Sequence, residues 1–178
     1  MLCESAVVLY GCSVAQGGNG LPRVWSLSTQ LSQRINRPVI DLAVTGGSNC
    51  LIEWQQRELH CQFRPWLEIV IWTEPVRFTD FDSFRGYGTW NHDRWPQDQR
   101  PVTDLDYWQD RSRELRQRFL ERSPRTIELT WNSLMRKIAP EIQFWPRSTW
   151  QDHTTDQHPG PGAVRALADQ LAHEIYSI

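Results

Sequence analysis

The chain has 178 residues, 39% of them hydrophobic and 22% charged, with a formal net charge of −2 and a pI near 6.2. That length argues for a single domain over residues 1–178, large enough to close a core without disulfide or metal staples. The charge balance excludes a strongly basic nucleic-acid binder and no 18-residue apolar run exists to span a bilayer, so neither nucleic acid nor membrane is expected as a partner.

The opening MLCESAVVLYGC has no basic n-region and no small-residue cleavage site. It reads as a first strand rather than a leader, and the expected setting is soluble and cytoplasmic. The strand is the apolar run over residues 6–10, closed by Gly11. Residues 14–20 read as a glycine-rich loop. Pro22 suits a first helical position, and Val24, Leu27, Leu31 and Ile35 then recur with helical spacing. A second strand over residues 38–43 runs into Thr45-Gly-Gly-Ser-Asn49. The spacing predicts a helix over 49–63, with Leu51, Trp54, Leu59 and Phe63 on its inner face, ended by Pro65. A third strand, 67–73, stops at Glu74-Pro75.

This β-loop-α alternation predicts an α/β domain, a three-layer α/β/α sandwich on a small parallel sheet, with ligands gathering at the carboxyl ends of the strands. The pattern lapses at about 77–106, a stretch rich in aromatic, Asp, Gly and Pro residues that reads as an insertion over the sheet edge or a cleft. A charged helix follows near 107–122. Pro124 is read as starting another helix, with Ile127, Trp131, Leu134 and Ile138 on one face. Residues 142–145 are a candidate last strand. A final helix over 161–178 turns Val164, Leu167, Leu171 and Ile175 inward.

Cys3, Cys12, Cys50 and Cys61 form no CxxC pair and match no zinc spacing, so free thiols are expected, several of them buried beside strands. No histidine–carboxylate spacing suggests a metal, and no cofactor is expected. Residues 17–20, Gly-Gly-Asn-Gly, are followed by neither a phosphate-loop Gly-Lys-Ser/Thr nor a dinucleotide fingerprint. A Gly-x-Ser-x-Gly elbow is absent too. Of 19 basic residues only Lys137 is lysine, and there are ten tryptophans.

Four short loops fall at what a parallel sheet makes a common rim: Gly11-Cys-Ser13, Thr45-Gly-Gly-Ser-Asn49, Trp72-Thr-Glu-Pro75 and Asp156-Gln-His158-Pro159-Gly160. A serine hydroxyl is a weak nucleophile without a base beside it. His158 is the candidate base for Ser13, and Asp156 the carboxylate that fixes the imidazole tautomer. His153 competes for the base role, but Asp152 and His153 lack the following Pro-Gly and helix and rank second. The plainer alternative is that Ser13 merely ends a strand and Asp156-x-His158-Pro159 merely caps the last helix. In the insertion, His92 between Trp90 and Trp95 lines a cleft or packs the insertion down. Glu74 and Arg77 form an exposed ion pair, or Arg77 meets an anionic substrate group at the rim.

In this order the blocks resemble the SGNH (GDSL-type) hydrolases, from Tyr10 to Gly162. Gly11-Cys12-Ser13 is similar to their Gly-Asp-Ser, Gly46 to their second-block glycine, and Asp156 with His158 to their final Asp and His. The resemblance implies a flavodoxin-like SGNH fold and a serine esterase or deacetylase working through an acyl-serine. Its implied substrate is a small or carbohydrate-linked ester. It also implies that the backbone N–H groups of Ser13 and Gly46 hold the oxyanion. Two departures stand out: Cys12 replaces the first-block aspartate, and Trp72-Thr73-Glu74-Pro75 replaces the third-block Gly-x-Asn-Asp. Asn49 or Thr73 is left to supply the missing donor. With Arg77, the Trp-Thr-x-Pro-x-Arg loop is similar to divergent SGNH-like proteins of phages and some marine bacteria, which implies a possible phage origin. The rival expectation is a catalytically degenerate SGNH fold serving as a binding or virion-associated protein.

Overall fold

The computed structural model describes residues 5–16, 22–81, 85–87, 105–154 and 158–178. Val7–Tyr10 (β1) is buried at every position and pairs in parallel with Val39–Asp41 (β2) on one side and Leu67–Trp72 (β3) on the other. Thr126–Thr130 (β6) pairs with β3 and Gln143–Phe144 (β7) with β6, completing a parallel sheet in the order β2-β1-β3-β6-β7. β3 is likewise buried throughout, as a central parallel strand covered on both faces should be.

Helices cover both faces. Leu27–Ile35 (α2) and Pro161–Tyr176 (α6) pack against one face through Leu27, Leu31, Leu167 and Leu171, together with Leu9 and Ile71 of the sheet. Asn49–His60 (α3), Leu105–Arg122 (α4) and Ser133–Ile138 (α5) lie on the opposite side of the molecule. There Tyr10, Ile52, Trp72, Phe119 and Met135 form the second core. The Phe119 ring meets Tyr10 and Trp72 edge-on, each with centroids 5.3 Å apart. This is the α/β/α layering the sequence predicts.

Two elements differ from the expectation. Residues 124–138 are not one helix but the strand β6 followed by α5. Ile127, Trp131, Leu134 and Ile138 have helical spacing, yet Ile127 and Trp131 pack into one core while Leu134 and Ile138 pack into the other. The informative signal was the alternation Thr126-Ile-Glu-Leu-Thr130, whose Ile127 and Leu129 face one side of the sheet. Residues 22–35 are likewise interrupted. A 3₁₀ turn, Arg23–Trp25, leaves Val24 exposed, and α2 starts afresh where the Ser26 side chain accepts the Thr29 N–H.

Smaller differences follow the same logic. Residues 14–16 of the expected loop belong instead to a short helix, Ser13–Gln16 (α1), and 17–21 lie outside the described residues. The expected helix over 49–63 ends at His60, and along that stretch Ile52, Glu53 and Gln56 are more deeply buried than Trp54, Leu59 or Phe63. The polar pair is tolerated because Glu53 meets Arg122 and Gln56 donates to Glu68 and the Phe119 carbonyl. In the insertion, Phe78–Asp80 (β4) and Arg85–Tyr87 (β5) form an antiparallel hairpin. Residues 88–104, with Trp90, His92 and Trp95, lie outside the described residues. Cys12 is buried, Cys50 half-buried and Cys61 exposed, all as free thiols; burial pushes the Cys50 thiol up. Cys3 lies outside the described residues. Among the described residues no helix is long and apolar enough to cross a membrane.

Candidate active site

The rim at the carboxyl ends of β1, β2 and β3 is stitched together loop by loop. Gly11 closes β1, and a Cβ there would meet the Ala15 Cβ at 2.8 Å, so glycine lets α1 fold back over the strand end. Ser13 is thereby the first residue of α1, and it is 94% buried at 6% exposure. The loop after β2 is fastened to this one. Val44 N–H donates to the Gly11 carbonyl at 3.0 Å, and the Gln16 side chain donates to the Ala43 carbonyl and accepts from the Thr45 hydroxyl. Gly46 then sits at φ 74°, in the left-handed region that favours glycine. The structure therefore places Gly46 at the rim, in the turn beside the Ser13 loop.

Asn49 joins the second loop to the third. Its Oδ1 accepts the Thr73 N–H at 2.9 Å, and its Nδ2 donates to the Thr73 carbonyl at 3.3 Å, with Asn49 at 2% exposure. The amide holds the end of β3 in place, so at most its second N–H hydrogen is left for other work. Thr73 is fully buried, and its hydroxyl has no hydrogen-bond partner among the described residues. Arg77 is buried rather than exposed. Its Nε lies 3.5 Å from Glu74, and its guanidinium sits 5.5 Å over the Trp131 ring.

The fourth loop brings the base. His158 Nε2 lies 2.7 Å from Ser13 Oγ across 145 positions of sequence, well inside hydrogen-bond reach. The loop is closed on itself: Thr154 N–H donates to the His158 carbonyl, and His158 N–H to the Thr154 hydroxyl. Asp156 lies outside the described residues. His153 is turned elsewhere, pairing in an isolated bridge with Pro159 and lying 5.5 Å from the Trp150 ring.

The aspartate that caps the final helix is Asp152, which the sequence suggests only as the partner of His153 in a second-ranked pair and not as a cap. Asp152 Oδ2 accepts the Gly162 N–H at 2.9 Å and Oδ1 the Ala163 N–H at 2.7 Å, in the first turn of α6. A Cβ at Gly160 would fall 2.5 Å from this carboxyl carbon. Asp152 stands eight residues before Gly160, the residue that begins the helix, so no local capping signature announces it. Gln16 was missed for a similar reason, since its partners come from another loop.

Beyond Gln16, one turn along α1 from Ser13, a cleft of about 490 Å³ is lined by Arg23, Ser26, Ser28, Thr29 and Asp41. Among the described residues no group of three or more His, Cys, Asp or Glu side chains converges as a metal site would. The arrangement thus offers a hydroxyl and an imidazole in contact, beside a polar cleft.

No protein-family model matches the sequence, and no curated protein matches it. Solved structures do match its fold. A psychrotrophic esterase from Pseudoalteromonas sp., inhibited by monoethylphosphonate, aligns at a TM-score of 0.62 and 11% identity, covering 97% of each chain. A structure described as lipolytic and of the G-D-S-L family, from Desulfitobacterium hafniense, aligns at 0.54 and 12% identity over 95% of this chain and 98% of that one. A family two carbohydrate esterase from Clostridium thermocellum, in complex with cellohexaose, aligns at 0.58 and 12% identity over 98% of this chain. This chain spans 64% of that enzyme's length. With a parallel five-stranded sheet between helices and these structures as its neighbours, the chain has the fold of the SGNH-type hydrolases.

Proposed function

We propose that the protein is a serine esterase or deacetylase that cleaves a small or carbohydrate-linked ester through an acyl-serine intermediate. The observation that carries this reading is the 2.7 Å contact between Ser13 Oγ and His158 Nε2. With Nε2 as acceptor, the imidazole is poised to take the hydroxyl proton as Oγ bonds to the substrate carbonyl carbon. His158 then returns that proton to the departing alcohol, leaving the acyl group on Ser13. Water, deprotonated in turn by His158, attacks the acyl carbon and releases the acid. Asp156 is assigned the orienting carboxylate on its place two residues before His158. The N–H groups of Ser13 and Gly46 are assigned to the oxyanion, each such donor being worth about 3 kcal/mol in the transition state. Arg77 and the second hydrogen of Asn49 are held in reserve for the substrate. The polar lining of the cleft beyond Gln16 suits a hydroxyl-rich alcohol, and the cellohexaose complex of a structural neighbour is consistent with one.

A second reading, a degenerate binding module, draws on a specific observation. Asn49, a candidate replacement for the third-block asparagine, uses both polar atoms of its amide to hold the Thr73 backbone. Labelling with a fluorophosphonate separates the two. Modification of Ser13 that is lost in His158→Ala is the result expected of the hydrolase. A folded wild-type protein that takes no label assigns the binder instead.

A further inference from the structure

At the opposite end of the sheet, where β3 and β6 begin, a cleft of about 320 Å³ opens between the ends of α3 and α4. Its wall carries His60, Arg64, Arg122 and Arg125, and among the described residues no aspartate or glutamate. Two of the four are matched behind the wall: Arg122 with Glu53 at 2.5 Å, and His60 with the buried Glu68 at 3.1 Å. Arg64 and Arg125 are exposed and pair with no carboxylate among the described residues. In a chain of net charge −2, this is a local concentration of positive charge.

Cations commonly gather where helices end, to offset the carbonyl end of the dipole. That explanation does not reach Arg64 and Arg125, which stand beyond the helices in the two segments leading into β3 and β6. The nearby carbonyls are also served already. Leu59 accepts from Gln62 and Phe63, and Phe119 from Ser123 and Gln56. Trp66 supplies a flat wall to the cleft and is itself stacked on Arg37, 4.2 Å from the ring. A guanidinium fork suits a phosphate group, and among the described residues of the wall no carboxylate competes for it.

We propose that this cleft is a binding site for a phosphate-type dianion, held by Arg64 and Arg125 and separate from the Ser13 rim. The test titrates the full chain with inorganic phosphate, and in parallel with phenyl phosphate, at constant ionic strength set by potassium chloride. Amide shifts are followed by NMR. Saturable shifts confined to residues 60–66 and 122–125 are expected. Tighter binding of phenyl phosphate assigns an esterified phosphate against Trp66, and equal binding assigns the free ion. Arg64→Ala/Arg125→Ala is expected to weaken binding about a hundredfold, and Arg64→Gln alone about tenfold. Arg57→Ala/Lys137→Ala, which removes the same charge elsewhere, is expected to leave it within about twofold. Linear, unsaturable shifts, or equal losses in the two double variants, would overturn the site.

Discussion

Two aspartates stand close in sequence before α6, and the structure gives a way to separate their roles by experiment. Asp152 spends both carboxylate oxygens on the Gly162 and Ala163 N–H groups. Asp152→Ala removes two charge-assisted bonds of 2.9 and 2.7 Å and a negative charge at the positive end of a 16-residue helix. Because the site is half-buried, the freed N–H groups regain water, and the loss is set at about 2–3 kcal/mol rather than at the cost of fully buried orphans. For a chain of this size that corresponds to a melting temperature lower by about 4–12 °C. Asp156→Asn is expected to act on chemistry instead, lowering the rate of fluorophosphonate labelling at Ser13 by roughly a thousandfold or more. Differential scanning fluorimetry and timed labelling, both well below the melting range, read the two effects independently. The assignment fails if Asp152→Ala melts like wild type. It fails equally if the folded Asp152→Ala protein stops labelling while Asp156→Asn labels normally.

Three further substitutions probe the rim and the buried network behind it. Gly11→Ala places a Cβ 2.8 Å from that of Ala15, so about 1–3 kcal/mol of stability should be lost in urea titration, with slower labelling as Ser13 moves; wild-type behaviour would mean α1 yields freely. Gly46→Ala forces a side chain onto φ 74°, at a cost of about 1–2 kcal/mol, and reduced turnover of an aryl ester is expected beyond that loss of stability. Tyr10 donates its hydroxyl to the buried Glu68 at 2.7 Å, and burial, followed by that carboxylate, pushes its phenol far above the ordinary range. The folded state therefore keeps a proton that the unfolded chain loses above about pH 10, and stability should fall there by up to about 1.4 kcal/mol per pH unit. Tyr10→Phe lacks this component, so identical pH slopes of the urea midpoint in both proteins would contradict it.

What was legible in the sequence is what is local. β1, β3 and α6 announce themselves through unbroken apolar runs or through Val164, Leu167, Leu171 and Ile175 at helical spacing, and all are found. Ser13 and His158 were legible because each sits where a strand ends or a helix is about to begin, and the structure brings them into contact. β6 was misread because its Ile127 falls in step with Trp131, Leu134 and Ile138, a helical rhythm produced by a strand and a following helix whose side chains enter opposite cores. The polar inner face of α3 was illegible in principle. Nothing near Glu53 or Gln56 foretells Arg122 or Glu68, and without those partners burial of either would be costly. The capping role of Asp152 and the part played by Gln16 were hidden for the same reason, since each acts on backbone brought near only by folding.

The two halves of the proposed site are therefore held with different security. Ser13 hangs on β1, the strand between β2 and β3, through a turn whose shape is fixed by Gly11 and by bonds to the β2 loop. His158 arrives from the far edge of the sheet, after β7, and meets the β1 rim through its contact with Ser13. Its position follows from α6. That helix is seated against α2 by Val164, Leu167 and Leu171 opposite Leu27 and Leu31, and its first turn is pinned by Asp152. The Gly160 N–H to the Asp152 carbonyl and the His153–Pro159 bridge then set where the chain turns back over Ser13. Burial of the α2–α6 seam is thus the free energy that brings the imidazole to the hydroxyl, and whatever unseats α6 from α2 should separate them before it unfolds the sheet.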